Sequence, residues 1–211
     1  MNETDEEQLE SLKKWWQENG RAIVVGVIVG AGGIFGWRFW EAQQVAHAED
    51  ASVAYHQVLN SYNAGDANEV KTQTLAMKSD YSSTPYAALA ELLNAKLAID
   101  SNELEAATES LQWVSDNSPE EDVRIIASLR LARVLNARGE IEAAQQLVDR
   151  SYPDAYTALV DEARGDILLA AGDVDGARQA YERALEAGQS PGGSQGLQMK
   201  LDDIAGLEAD S

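Results

Sequence analysis

Hydrophobic and polar positions follow two regimes along the chain. From Ala22 to Trp37 no charged or strongly polar side chain occurs. Counted through Phe39 and Trp40, about 19 residues at 1.5 Å each give roughly 28 Å, close to the ~30 Å hydrocarbon core of a bilayer. A soluble core helix of that length would show a polar face, and this one has none. Beyond residue 41 proline is scarce, alanine is abundant and no period-2 apolar run occurs, which predicts helix throughout.

The flanks of the first segment fit a membrane span. Trp15 and Trp16 lie on one side and Trp37, Phe39 and Trp40 on the other, where headgroups favour amphipathic rings, and Arg38 can snorkel outward. A cleaved signal peptide is the rival reading, because Ala46-His47-Ala48 has the small-residue pattern of a cleavage site. That motif lies beyond three bulky aromatics, and the leader MNETDEEQLE is acidic, so the segment is expected to remain. Lys13, Lys14 and Arg21 precede the span, and after Arg38 the next basic residue is Lys71. Positive-inside orientation then keeps residues 1–20 in the cytoplasm, spans with 21–40 and exports 41–211, in a bacterium to the periplasm. Gly26, Gly30, Gly32 and Gly36 form two small-residue pairs four apart, a candidate face for packing against another membrane helix. Glycine is also simply common in such helices. The faint resemblance of Gly30-x-Gly32 to a dinucleotide loop lacks the strand-turn-helix context.

The exported part reads as a repeat. NAGDANEV around Gly65, IDSNELEAA around Asn102, ARGEIEAA around Gly139 and AAGDVDGA around Gly172 align, with turns 37, 37 and 33 residues apart. Periods near 34 are the mark of tetratricopeptide-type helix pairs. The last unit is clearest: small Gly165 and Ala177 let two antiparallel helices approach, and Tyr181 is expected to plug the gap against the neighbouring pair. The first unit is degenerate, its leading helix running on from the span. After SPGGSQG, the stripe Leu197, Leu201, Ile204 and Leu207 predicts a C-terminal capping helix, which arrays need to cover their last apolar face. The fold class expected is all-α: one transmembrane helix, then a tetratricopeptide-like α-solenoid with a cap. A generic helical bundle is the alternative.

Charge and chemistry narrow the function. The 36 acidic and 16 basic residues give a net charge of -20, which argues against nucleic acid as a partner. Cysteine is absent, removing disulfide and thiolate chemistry. His47 and His56 are nine apart with no carboxylate at metal-ligand spacing. Asp173-x-Asp175-Gly176 has the start of a calcium loop, but its twelfth position is Ala184 rather than Glu, so it reads as the repeat's turn. Glu120-Glu121-Asp122 after Pro119 load a helix N-terminus. No nucleophile-base pair or phosphate loop emerges; no catalytic residue, cofactor or metal is expected.

What remains is a surface. In such arrays the first helix of each pair lines a concave groove. The repeat register assigns Leu89, Leu92, Lys96 and Ile99 to it from one pair, Ile126, Leu129, Arg133 and Asn136 from the next, and Leu159, Glu162, Asp166 and Leu169 from the last. Mixed apolar and charged groups suit an extended peptide or a partner's helix. Several of the leucines read equally as core.

EEQLESLKKWWQENG (Glu6 to Gly20), the glycine-rich span and GWRFW (Gly36 to Trp40) together resemble the ancillary SecYEG translocon subunit family (YfgM-like proteins). The resemblance covers the whole chain and is most specific in the N-terminal block. It implies a single-span inner-membrane protein with a periplasmic C-terminal domain. It also implies association with the SecYEG channel and with PpiD, a membrane-anchored periplasmic chaperone of the prolyl-isomerase type. Lys13, Lys14, Trp15 and Trp16 match the family pattern, either binding a partner or setting membrane depth. The expected function is a non-enzymatic adaptor that links exported client polypeptides to periplasmic chaperones. The alternative is a regulator acting through its cytoplasmic tail on a stress-response protein.

Overall fold

The computed structural model describes the backbone of residues 3–188 and 193–209, and side chains within them except those of 3–8, 22 and 207–209. The side chain of Leu207, from the expected capping stripe, and Ser190, Pro191 and Gly192 of the loop before it lie outside what is described. The described residues are 88% helical, with no strand among them. It divides into two compact units, Met1–Glu49 and Asp50–Ser211. The sequence places a boundary at 40/41; the later division reflects the exposed turns that follow Trp40, burial beginning at Ala51.

Helix α1 (Glu3–Ala64) is continuous. Within Ile23–Ala64 it holds a window long and apolar enough to cross a membrane, and none of that window is buried. Val27, Ile28, Val29, Ile34 and Phe35 are all exposed. The glycines at 26, 30, 32 and 36 have open space where a Cβ would stand.

The second unit is a succession of antiparallel pairs. The end of α1 shares an apolar cluster with α2 (Ala67–Asp80) through Val58, Val70 and Met77, while α3 (Pro85–Asp100) pairs with α4 (Leu104–Asn117) and α5 (Glu121–Ala137) with the short α6 (Ile141–Val148). A single 3-10 turn (Asp154–Tyr156) leads into α7 (Thr157–Ala170), which pairs with α8 (Val174–Ala187), and α9 (Gly193–Ala209) packs on α8. The turns are built alike. Gly65, Asn102, Gly139 and Gly172 all have positive φ, Asn102 being the only such non-glycine among the described residues. In each, the next residue's N–H reaches back to a carbonyl five positions earlier: Asp66 to Ser61 at 3.0 Å, Glu103 to Ala98 at 2.7 Å, Glu140 to Leu135 at 2.9 Å, Asp173 to Leu168 at 2.9 Å. This is the Schellman closure, which satisfies orphan carbonyls and demands a left-handed residue. Asp66 and Asp173 then cap α2 and α8, accepting from the N–H groups of Glu69 and Gly176.

The core runs along the array as adjoining clusters. Val58, Val70, Met77, Ala87 and Ala90 form the first. A central one is built on Ala95, Leu111, Leu129, Leu131 and Ile167. The last joins Ala177, Tyr181 and Ala184 to Leu197 and Ile204 of α9. Alanines at 95, 107, 132, 144, 163 and 177 are buried at the helix contacts, where a larger side chain would force the axes apart. Tyr181 differs from expectation. It fills the gap in its own pair, its ring lying over Gly165, and on the outer side it meets the cap rather than a further pair.

Candidate functional site

Helices α3, α5 and α7 supply the surface that the register assigns to a groove, and the distribution of charge divides it into two parts. At the C-terminal end the groove residues bind one another. Arg133 on α5 approaches Glu162 at 3.7 Å and Asp166 at 3.8 Å on α7. Lys200 on α9 reaches the same two carboxylates at 3.0 and 2.6 Å. The Tyr181 hydroxyl donates to Asp166 at 2.8 Å, and Lys200 also stands over the Tyr181 ring, 5.3 Å from its centroid. Burial, and then the negative charge of Asp166, hold the Tyr181 phenol well above its ordinary range. Asn136 donates from its amide to the backbone carbonyl of Asp166 at 3.3 Å, tying α5 directly to α7. This end is a closed ionic joint of two carboxylates and two cations.

Between α3 and α5 the surface is open. Helix α5 packs directly on α7, whereas α3 and α5 are each packed mainly on α4. The register explains the contrast. Where α5 carries Asn136, three residues before its turn, α3 carries Ile99, which has no amide to bridge to the next helix and is 40% exposed. A trough of about 450 Å³ results, with Leu92 and Ile99 on one wall, Val134 and Ala137 on the other, and Leu104 and Leu111 of α4 as its floor. Lys96, Asp100, Arg130 and Arg133 stand around it. Lys96 and Asp100 pair at 2.8 Å, an exposed contact whose hydrogen bond raises the lysine's pKa.

Of the residues assigned from the register, Leu92, Lys96, Ile99 and Arg133 meet at the trough, and Arg133, Asn136, Glu162 and Asp166 meet at the joint. Leu129 does not present itself to a groove. It is 1% exposed in the central core, because its helix face packs inward against both neighbouring pairs. Leu159 and Leu169 are half-buried and pack on the core clusters, and Ile126 is half-buried; Leu89 is 36% exposed. Leu104, Arg130 and Val134 were not assigned. Arg130 lies one turn before Val134 on the same face, a signal that a search confined to one register row passes over. Lys200 is equally unassigned, although it lies 34 residues after Asp166, one repeat period on.

In the first unit Lys13, Lys14 and Arg21 are exposed. Leu9, Leu12 and Trp16 form an exposed stripe there, with Lys13 and Gln17 beside it. Among the described residues no three His, Asp or Glu side chains gather as a metal site. Asp173 and Asp175, the start of the calcium-like motif, are occupied by the α8 cap and by Arg178.

A family model described as a tetratricopeptide repeat-like domain matches residues 13–206. The chain is 34% identical to the "Ancillary SecYEG translocon subunit" of Escherichia coli, over 96% of this chain and 98% of that one. It is 32% identical to the protein of the same name from Haemophilus influenzae, over 95% and 97%. A third, from Aggregatibacter actinomycetemcomitans, is 30% identical over 86% and 89%. No solved structure matches the chain. With an apolar helix leading into paired helices closed by left-handed turns, and identity sustained over nearly the full length, this chain belongs to the ancillary SecYEG translocon subunit family.

Proposed function

We propose that this protein is a non-catalytic adaptor anchored in the inner membrane at the SecYEG translocon. Its repeat domain faces the periplasm and links exported polypeptides to a PpiD-like chaperone. The observation that carries the reading is the pairing of an unburied apolar segment in α1 with a helical-repeat domain that keeps an open trough. The names of the relatives support the translocon as the place of work. Lys13, Lys14 and Arg21 before the span support an N-terminus in the cytoplasm. Confinement beside the channel exit raises the effective concentration of the trough for emerging chains, so individually weak contacts suffice.

The test is copurification of the intact protein from membranes. Translocon subunits and a periplasmic chaperone should be recovered with it, and removing residues 139–211 should abolish chaperone recovery. A reporter active only after export, fused after Ser211, should be active. Recovery that survives this truncation but is lost when residues 1–20 are replaced by an unrelated leader with the same basic residues would sink the adaptor reading. It would favour instead a regulator acting through the cytoplasmic tail, a reading supported by the exposed Leu9, Leu12 and Trp16 stripe.

A further inference from the structure

We propose that the trough between α3 and α5 seats a partner segment that combines large apolar side chains with carboxylates, a recognition chemistry that rests on the adaptor reading above. The walls and floor are apolar and preformed: Leu92, Ile99 and Val134 around Leu104. Its volume, about 450 Å³, lies within the range of clefts that hold compact ligands, enough for an apolar anchor and its neighbours.

Charge selects the occupant. The chain carries 36 acidic and 16 basic residues, yet the trough's rim holds three cations, Lys96, Arg130 and Arg133, against the single carboxylate of Asp100. That carboxylate is held by Lys96 at 2.8 Å, and Arg133 leans toward α7, no closer than 3.7 Å to a carboxylate. Arg130 is exposed, and among the described residues it has no hydrogen-bond or ion-pair partner. An unpaired guanidinium above an apolar trough favours a carboxylate beside the buried anchor, since its planar fork can take both oxygens at once. A basic segment meets repulsion from the same rim. The chain's net charge of -20 disfavours an acidic partner in general, and the cationic rim offsets that repulsion at the trough.

The experiment uses the full chain in nanodiscs and three labelled synthetic peptides of equal length. The first alternates leucine and phenylalanine with glutamate, the second has lysine for glutamate, and the third has alanine for the leucines and phenylalanines. The acidic apolar peptide should bind, the other two should bind at least tenfold more weakly, and binding should weaken as salt shortens the screening length to about 8 Å and below. Arg130→Glu replaces an attraction with a repulsion and should weaken binding by about tenfold. Because Arg130 is exposed and makes no hydrogen bond or ion pair among the described residues, the fold should be unchanged by circular dichroism. Ile99→Asp, at an exposed wall position, should weaken it similarly without unfolding the array. Equal binding of the lysine peptide, or indifference to Arg130→Glu, overturns the proposal and leaves the adaptor reading standing, since that is read from copurification after truncation. Self-association of the chain that the acidic peptide dissolves and Arg130→Glu abolishes would make a second copy the occupant, and it too overturns the proposal.

Discussion

The Tyr181 ring stands where a side chain on Gly165 would have to go: a Cβ built on Gly165 falls only 2.9 Å from the ring's Cζ, with two other ring carbons closer still. Both residues are buried, and the hydroxyl is fixed to Asp166, so the ring cannot swing aside without breaking that bond. Gly165→Ala gains up to about 1 kcal/mol of helix propensity in an open helix. Here it should lose net stability, by ~1–3 kcal/mol, through overpacking. Urea unfolding of the detergent-solubilised chain measures it. Combining Gly165→Ala with Tyr181→Leu should cost less than the sum of the two changes, and strict additivity would mean that the two side chains do not collide.

The same tyrosine predicts an alkaline limit. Its phenol has a pKa raised by burial and by Asp166, while an unfolded chain titrates tyrosine near 10. A group whose folded pKa is raised contributes stability that is fully present below the unfolded value. That stability is lost as pH climbs from about 10 toward the folded value, because the unfolded state then releases a proton that the folded state keeps. Thermal unfolding followed between pH 8 and pH 11, a window set by that ~10 reference, should show a fall steeper in the native chain than in Tyr181→Phe. Parallel profiles would assign the alkaline loss to other groups.

How much of this was legible depended on whether a residue acts within its own helix pair. The four turns were readable because Gly65, Asn102, Gly139 and Gly172 recur at a near-constant period and each needs the same left-handed backbone. The cap was readable from Leu197 and Ile204, both buried as the stripe predicts. Contacts between pairs were not readable. Whether Leu129 faces core or solvent depends on how closely α5 approaches α7, which the Asn136 bridge helps decide and no periodicity reports. For the same reason the register shows Arg133 as a groove charge without showing that Glu162 and Asp166 engage it.

Turn chemistry gives a graded test. Asn102 holds φ 60 where its counterpart Gly139 holds φ 79. Asparagine tolerates this region far better than branched residues do. Gly139→Asn should therefore cost less than about 1 kcal/mol, and Gly139→Val about 2 kcal/mol or more, since the left-handed penalty for ordinary residues is roughly 1–2 kcal/mol and β-branching adds to it. Chemical denaturation of the two variants side by side decides the matter. Equal costs would show that the backbone at 139 relaxes out of the left-handed region when glycine is lost.

Lys96 and Arg133 occupy the same register position, six residues before their turns, yet reversing their charge should have different consequences. Lys96 and its partner Asp100 are both 57% exposed at the side chain, and such a pair contributes little. Lys96→Glu should leave the unfolding midpoint unchanged and act only on what binds at the trough. Arg133 is 30% exposed and faces Glu162 and Asp166, which are less exposed still. Arg133→Glu would set a third carboxylate against those two, leaving Lys200 as the sole cation in the joint. The cost should be on the order of 2 kcal/mol, below that of breaking a fully buried pair because solvent screens part of the repulsion. Arg133→Met removes the cation without adding an anion and should cost less than Arg133→Glu. The difference between them should shrink at high salt as the repulsion is screened. If Arg133→Glu proves as stable as the native chain at low salt, the joint does not form in solution. In that case Arg133 would be a free groove charge, equivalent to Lys96 in energy as well as in register.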